Sequence, residues 1–410
     1  MAPQNPAIVD DTKWLSSHIS SDALRLPIDK REANSVDLSR ALSRLAGDPN
    51  APPPGSNSHV DNLVAAIGAH DHYVFVLADG FGRALLQTAP QGGFFRSAEA
   101  IPIRSVFPST TAVALTSLAS GAWPAEHALT GWWTHFADRG RVVAPLPFVE
   151  RGSGNGPDTL GFGLDDVMCV SPAAGRFTRT FGHLVPKKVQ GGAFSVWQAG
   201  DTAAAYQTLW GGRRVVQRFQ RRAAGPSYLY WYVPDIDSNS HEHGVRSKHV
   251  ARAIARLDKA LLRLRRRLPA SARIVVTADH GLIDIPAERQ LLMYDDDPLM
   301  AHLQVGPTGE ATTPVFHTKR GHEAAFLSAF AAHRAGGYFR LFRPQTLARF
   351  GLYGPDPLSR AAARNLGDFV GLAAETVTLE YVPPGGEPHH FVGWHGGLRP
   401  EEMEVNVYLA

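Results

Sequence analysis

Hydrophobic and polar residues follow one another along the chain in blocks typical of a sheet with helices packed on it. Short apolar runs at residues 73–78, 228–233 and 274–278 predict buried strands, because each is too short for an ordinary helix. Between the last two runs, residues 247–268 place Val, Ile and Leu at steps of three and four, which predicts an amphipathic helix. We therefore expect an α/β fold, with a doubly wound, mostly parallel central sheet and helices on both faces.

The same pattern divides the chain into parts. Residues 1–60 are rich in Pro, Ser, Asp and Asn, and we expect an N-terminal extension that packs on the core. Residues 61–294 and 386–410 carry the predicted strands and form the expected α/β core. In residues 295–385, Pro and Gly punctuate a strand-like TPVFHT and a helix-like HEAAFLSAFAAH, which predicts a smaller cap lobe.

Composition narrows the class of protein. A chain of 410 residues with 44% hydrophobic residues, 19% charged residues and a net charge of +3 is ordinary for a globular protein. No stripe of Lys and Arg is interleaved with aromatic residues, so we expect no nucleic-acid polymer as partner. The single cysteine, Cys169, excludes an intrachain disulfide and a thiolate metal site.

The chain also lacks sequence signals for membranes or secretion. No apolar run approaches the roughly 18 residues that span a bilayer. The N-terminus has no basic region followed by an apolar region, as a secretory signal would have. We expect a soluble cytoplasmic enzyme with no membrane partner, and the sequence leaves its oligomeric state open.

Acidic and histidine residues cluster where the predicted strands end. The clusters are Asp79, Asp237 with His241, Asp279 with His280, and His395. Taken singly, each has an ordinary explanation as a helix cap, a polar loop or a loop histidine. Together, carboxylates and imidazoles without cysteine suit zinc and similar ions, and two such ions promote phosphate-ester hydrolysis. The clusters therefore predict a site for two divalent metals.

A nucleophile is available in the segment FPSTTAVALTSLASG, residues 107–121. The segment predicts a turn, a helix and a stop at Gly121. A hydroxyl at the start of a helix, close to a metal, is well placed to act as an alkoxide. Thr110 and Thr111 both occupy that place, and two capping threonines are the ordinary alternative.

In this order, the motifs resemble the alkaline phosphatase superfamily, and in particular its type I phosphodiesterase/nucleotide pyrophosphatase branch. The resemblance extends over roughly residues 70–410. The motifs that carry it are Asp79 after a strand, FPSTT…SLASG, DSNSHEHG, ADHG and WHGGLRPEEM. RGHEAAF and NLGDFVGL are similar to the cap lobe of bacterial members. An alkaline-phosphatase-like fold is implied.

The resemblance also implies an activity and a site. The activity is metal-dependent hydrolysis of phosphodiester or nucleotide pyrophosphate bonds in a small-molecule phosphate ester, through a phosphothreonine intermediate. The cofactors would be two divalent metal ions, which we expect to be zinc. The implied ligands are Asp79, Asp279 and His280 for one ion, and Asp237, His241 and His395 for the other. Thr111 stands ten residues before Gly121, as the family's nucleophile stands before its helix-closing glycine; Thr110 is the alternative.

Some positions depart from the family's pattern. Diesterases of this branch carry an asparagine about twenty-one residues after the nucleophile to bind a phosphoryl oxygen, and counting from Thr111 reaches Trp132. Trp132 and Trp133 could stack on an aromatic part of the substrate, or be buried core residues. Asp235 and His243 flank the expected ligands and could compete with them.

Two other functions stay open. The same scaffold could serve a phosphomonoesterase or phosphonate hydrolase, although the residues after Thr111, 112–115, are all apolar and lack the arginine typical of monoesterases. A metal-binding or ligand-binding protein without catalysis is the third possibility, against which the complete ligand set counts. Other branches of the superfamily fit less well: FPSTT lacks the Arg of the sulfatase motif C/S-x-P-S-R, and a membrane-bound phosphoethanolamine transferase needs transmembrane helices that this sequence does not show.

Overall fold

The computed structural model describes residues 9–410. Its strands are β1 (Ala33–Asn34), β2 (His72–Ala78), β3 (Glu99–Arg104), β4 (Thr134–Phe136), β5 (Arg141–Ala144), β6 (Val149–Glu150), β7 (Thr180–Pro186), β8 (Ala204–Tyr206), β9 (Ser227–Val233), β10 (Ala272–Thr277), β11 (Ile283–Asp284), β12 (Gln290–Met293), β13 (Thr308–Glu310), β14 (Thr313–Phe316), β15 (Arg340–Phe342), β16 (Phe369–Leu372), β17 (Thr378–Tyr381), β18 (Gly393–Trp394) and β19 (Glu404–Leu409).

The α-helices are α1 (Thr12–Ser20), α2 (Ser35–Leu45), α3 (Ser58–Ile67), α4 (Phe94–Ser97), α5 (Thr111–Ser120), α6 (Pro124–His127), α7 (Pro157–Leu160), α8 (Ala193–Ala199), α9 (Leu209–Arg222), α10 (Asp235–His243), α11 (Lys248–Arg265), α12 (Glu323–Ala332), α13 (Pro344–Arg349), α14 (Arg360–Asn365) and α15 (Pro400–Met403). Short 3-10 segments occur at Arg83–Thr88, Leu164–Asp166, Ala173–Arg176, Lys187–Val189, Gly200–Thr202, Ala287–Arg289, Pro298–His302 and Arg334–Gly337.

The central sheet has eight strands in the order β1-β3-β19-β10-β2-β9-β7-β8. Strands β10, β2, β9, β7 and β8 are parallel neighbours, and β19 runs antiparallel to both β10 and β3. The middle of β2 lies between its neighbours in register, with Val74 opposite Ile274 on one side and Leu229 on the other. The sheet confirms the predicted fold class.

The apolar runs are strands because both of their faces are covered. Residues 73–78 are all buried, which is what a continuous apolar run in a parallel sheet requires. Two groups of helices supply the cover: α2 packs with α3 and α5, and α9 packs with α11. Along α11, Ile254, Leu257 and Leu261 are fully or almost fully buried, as the three- and four-residue steps predict.

Smaller sheets stand beside the central one. Strands β13, β14, β16 and β15 form an antiparallel sheet whose apolar residues pack with α12, and β4, β5 and β6 form another. An isolated bridge between Trp133 and Gly309 joins these two sheets. The proposed boundaries at residues 60, 294 and 385 stay predictions. Two elements that precede the first boundary contribute to the core: β1 pairs with β3 of the central sheet, and α2 packs in the same hydrophobic core.

Among the helices of residues 9–410, none combines the length and the apolar character that crossing a bilayer requires.

Candidate active site

Three carboxylates meet at one edge of the central sheet. Asp79 directly follows β2, Asp279 lies two residues beyond β10, and Asp237 is in the first turn of α10, just after β9. Because these strands are parallel neighbours, their carboxyl ends meet at the same edge. Backbone contacts join the three segments: the Asp237 N–H donates to the Asp79 carbonyl at 3.1 Å, and the Gly80 N–H donates to Asp279 Oδ1 at 3.1 Å.

His280 is the centre of this cluster. Its Nε2 lies 3.4 Å from Asp279 Oδ2 and 3.7 Å from Asp79 Oδ1. Its Nδ1 lies 3.1 Å from the Gly281 carbonyl oxygen. A carbonyl can only accept, so Nδ1 carries the proton and the Nε2 lone pair points at the carboxylates. That is the tautomer of a metal-binding histidine.

His241 and His395 lie beside Asp237. The polar segment DIDSNSHEH forms helix α10, so Asp237 and His241, four residues apart, lie on one side, with His241 Nε2 3.3 Å from Asp237 Oδ1. The Nδ1 of His241 donates to the Gly393 carbonyl at 2.8 Å, which again leaves Nε2 free. His395 stacks on His280 with ring centroids 3.9 Å apart, and its Nε2 lies 3.9 Å from Asp237 Oδ1.

Five of the six side chains form two groups that fit divalent metal ions. In the described part of the chain, two triplets bring one ligand atom from each residue within 4.8 Å of the others: Asp79, Asp279 and His280, and Asp237, His280 and His395. One carboxylate oxygen of each aspartate is buried without a hydrogen-bond partner, as is His395 Nδ1. Such oxygens are costly to bury unless a cation neutralises them. His241 contacts Asp237 but belongs to neither triplet.

Electrostatics point in the same direction. Burial, with repulsion from Asp279 and Asp237, raises the pKa of Asp79 well above its usual range. Burial alone would raise the pKa of Asp237, but the neighbouring His241 and His395 keep it below its usual range. Burial, with repulsion from His280 and His241, lowers the pKa of His395 well below that of an ordinary histidine. Carboxylates in such proximity need positive charge between them.

The structure distinguishes the two candidate nucleophiles by position. Thr111 is the first residue of α5, which ends at Gly121 in the left-handed conformation (φ 73°). The Thr111 hydroxyl lies 3.1 Å from His280 Nε2, and the residue lines the large cavity at this edge. Thr110 precedes the helix in extended conformation, and its buried hydroxyl lies close to the Glu310 carboxylate. The hydroxyl aimed at the ligand cluster is that of Thr111.

The residues that flank the expected ligands lie apart from them. The Asp235 carbonyl accepts a hydrogen bond from Asn239 within α10. The His243 ring stacks on His249, with centroids 3.8 Å apart. Neither Asp235 nor His243 belongs to the two triplets or lines the cavity.

Other residues of the site were not found from the sequence. The Tyr232 hydroxyl donates to Asp79 Oδ2 at 2.5 Å, and the Ser105 hydroxyl donates to the Asp279 carbonyl. Glu310 accepts from the Trp132 N–H at 2.5 Å, and burial raises the pKa of Glu310 to about 7. Tyr232 is hidden in an apolar run, and nothing near Ser105 or Glu310 in the sequence marks them.

The site opens into a cavity of about 530 Å³. Its walls include the aromatic residues Trp132, Trp133, Phe194, Tyr230, Tyr232, Tyr381, Phe391 and Trp394. Trp132 and Trp133 are half-buried and face this space, so they are wall residues rather than fully buried core. Two cations also line it, Lys188 and Arg151; the Arg151 guanidinium donates to the Gly306 and Pro307 carbonyls.

Known proteins share both sequence and structural features with this chain. The model of the family "Type I phosphodiesterase / nucleotide pyrophosphatase" matches residues 176–398. One structure similar to this chain is that of murine ectonucleotide pyrophosphatase/phosphodiesterase 5, solved as an inactive variant in complex with AMP. The two chains align with a TM-score of 0.60 and 15% identity, over 82% of this chain and 87% of the murine chain. The human protein of that name has a TM-score of 0.58 and 14% identity over the same shares. No curated protein matches the sequence significantly.

Proposed function

The chain belongs to the type I phosphodiesterase/nucleotide pyrophosphatase family and is a hydrolase, and we propose that it acts through Thr111 as nucleophile and two divalent metal ions. The observation that carries this proposal is the position of the Thr111 hydroxyl, 3.1 Å from His280 Nε2 and among carboxylates that converge from three parallel strands. If Thr111 were only a capping residue of α5, its hydroxyl would have no need of three nearby aspartates, each with a carboxylate oxygen that lacks a hydrogen-bond partner.

The metal ligands are proposed residue by residue. Asp79, Asp279 and His280 would hold one ion, and Asp237, His241 and His395 the other. Nitrogen and oxygen donors without cysteine suit zinc, which is the ion we expect. When bound, the two cations lower the pKa of the attacking hydroxyl and neutralise charge on the phosphoryl group.

The chain's own groups perform the rest of the chemistry. The Thr111 oxygen gives up its proton to solvent and forms a bond to phosphorus while the bond to the leaving alcohol or phosphate breaks, which gives a phosphothreonine. In the second step a water oxygen forms a bond to phosphorus as the bond to the Thr111 oxygen breaks, the threonine oxygen regains a proton, and the phosphate product leaves. Thr111 begins α5, so free backbone N–H groups and the positive end of the helix dipole favour the negative phosphoryl group there.

The cavity favours a small phosphodiester or nucleotide with an aromatic portion. Trp132, Trp133 and Tyr381 offer apolar ring surfaces for a nucleobase or aryl group. The AMP bound to the murine relative is consistent with a ligand of this size and chemistry. The apolar residues 112–115 place no cation directly beside Thr111 for a dianionic monoester, and of the two cations in the cavity wall, Lys188 and Arg151, the second already donates to two backbone carbonyls, which favours diesters.

A hydrolysis assay tests the proposal. We expect the protein to lose activity in a strong chelator and to regain it with zinc or manganese, and to have a higher kcat/KM for an aryl phosphodiester than for the matching monoester. A ratio clearly below one would indicate a phosphomonoesterase instead. If the metal-loaded protein hydrolyses neither diester, monoester nor aryl phosphonate, the chain is a binding protein without catalysis. If the fully metal-free protein hydrolyses the diester, the proposed metal site is rejected.

A further inference from the structure

A dense set of exposed cations lies on helices α9 and α11, outside the cavity. We call this set the basic face. It comprises Arg214, Arg218, Arg221 and Arg222 of α9, Arg252, Arg256, Lys259 and Arg263 of α11, and Arg266 and Arg267 directly after α11. All ten side chains are exposed.

The periodicity of the two helices produces this surface. In α9, Arg214 and Arg218 lie one turn apart on the outer side, while Val216 is fully buried on the inner side. In α11, the outer residues likewise recur at steps of three and four. Because α9 packs directly against α11, the two stripes lie next to each other and form one surface.

Nothing in the described structure neutralises this charge. Residues 209–222 contain no Asp or Glu, and residues 248–267 contain only Asp258, which is buried and accepts a hydrogen bond from the Phe95 N–H. Within residues 9–410, none of the ten cations forms an ion pair. The whole chain has a net charge of only +3, so the positive potential is concentrated here.

An exposed tryptophan adjoins the basic face. Trp210, at the start of α9, is 57% exposed, and the Arg214 guanidinium lies 4.5 Å from its ring centroid. Tryptophan is the residue that prefers the boundary between water and lipid, and arginine pairs with phosphate groups by several hydrogen bonds. Single exposed apolar residues are ordinary, so Trp210 counts here through its position beside the cations.

We propose that the basic face binds the enzyme to a membrane surface rich in anionic lipid headgroups, with Trp210 in the headgroup layer. Charge complementarity supports this partner, since clustered Lys and Arg on an amphipathic helix surface are attracted to anionic bilayers. Single-stranded nucleic acid is a poorer partner, because it needs several aromatic rings for stacking among the cations and this surface has Trp210 alone. The proposal departs from our expectation of no membrane partner and is independent of the catalytic one.

Vesicle sedimentation tests the proposal with the full chain. We expect it to sediment with vesicles of phosphatidylcholine containing about one third phosphatidylserine, and not with phosphatidylcholine alone, with binding that weakens as salt rises. The triple variant Arg218→Gln, Arg256→Gln, Arg263→Gln should bind about 100-fold more weakly, at roughly fivefold for each cation removed. Its kcat/KM on a soluble diester should not change.

A matched control removes the same charge elsewhere. Arg31→Gln, Arg320→Gln, Arg360→Gln also loses three exposed, unpaired cations, and it should bind vesicles like the unaltered protein. Trp210→Ala should weaken the binding that remains at high salt. The proposal would be overturned if the control variant weakened vesicle binding as much as the basic-face variant does. It would also be overturned if the unaltered protein failed to bind anionic vesicles, or bound a single-stranded oligonucleotide in preference to them.

Discussion

Thr110 and Thr111 are neighbours in the sequence, but only the Thr111 hydroxyl contacts the candidate ligand His280. Thr111→Ala should lower kcat by about a thousandfold or more, because it removes the attacking oxygen. Thr110→Ala should have a much smaller effect, and both variants should retain folding and metal content. Steady-state kinetics with elemental analysis measures this. An essential Thr110 with a dispensable Thr111 would show that the ten-residue spacing misassigned the nucleophile by one position.

His127 gives a prediction about pH that is separate from the site. It is fully buried, its Nδ1 accepts from the Leu129 N–H, and its Nε2 lies 3.2 Å from the Ser117 hydroxyl. Burial lowers the pKa of His127 to about 3. The unfolded chain, with a histidine pKa of about 6.5, binds a proton that the folded chain does not, so stability falls as the pH drops from about 6.5 towards 3.

The variant His127→Gln cannot titrate at this position. When the pH falls from 7 to 5, the unfolding free energy of the variant should decrease by about 2 kcal/mol less than that of the unaltered protein. At pH 7 the variant should be the less stable of the two, because one hydrogen bond is lost. Denaturant unfolding at both pH values measures the difference. The exposed His390→Gln is the control and should keep the original pH dependence. Equal losses in His127→Gln and the unaltered protein would mean that His127 is protonated in the fold.

Among single residues, the candidate metal ligands could be predicted, while their supporting partners could not. An acid or histidine at the end of an apolar run is visible in the sequence, as at Asp79 and His280. Tyr232 reaches Asp79 only because β9 lies beside β2, and Glu310 reaches the Trp132 backbone from a distant hairpin. Contacts of this kind depend on the assembled fold.

At the scale of elements, long periodic segments were predictable and short ones were not. The apolar run at 228–233 and the helix at 247–268 occur close to their predicted positions, as β9 and α11. The polar segment that carries Asp237 and His241 has the composition of a loop, yet residues 235–243 form α10. Their polar residues face the candidate metal site and solvent instead of a core, so the hydrophobic pattern of a helix is absent.

The turn after β10 holds the ligands through close backbone packing. A Cβ on Gly281 would lie 2.0 Å from the Glu401 carbonyl oxygen, so Gly281→Ala must push the Asp279–His280 segment away from α15. We expect a loss of about 1–3 kcal/mol in unfolding free energy together with a large fall in kcat/KM. Gly225→Ala, where no atom lies within 4 Å of the new Cβ, should change neither. Unaltered activity in Gly281→Ala would show that this turn does not position the ligands.

At the scale of the whole molecule, the fold class could be predicted but the strand order could not. β19 enters the sheet antiparallel between β10 and β3, and β1 adds an edge strand from the N-terminal region. Local sequence does not encode which distant strand is a neighbour. The Arg-rich outer side of the helix at 247–268 is visible in the sequence, where it is typical of a solvated face; it joins the stripe of α9 in one surface only when α9 packs against α11.

Metal binding should stabilise the whole molecule. The converging carboxylates repel one another, so the metal-free protein should unfold at a lower temperature than the metal-loaded protein. Free zinc at about 100 times its dissociation constant should add about 2.7 kcal/mol for each site. Differential scanning calorimetry measures the rise in Tm, and elemental analysis should find two ions per chain. A smaller rise in Asp237→Asn, which lacks one ligand of one of the two ions, would link the rise to this site. An unchanged Tm on adding zinc would count against the metal site.

In the proposed mechanism, Thr111 carries the phosphoryl group between two displacements. The most direct test is the stereochemical course of hydrolysis at phosphorus, measured with a chiral phosphorothioate diester in isotopically labelled water. Each in-line displacement inverts the configuration, so a phosphothreonine intermediate predicts overall retention. Overall inversion would mean a single direct attack by water, and would contradict the role given to Thr111.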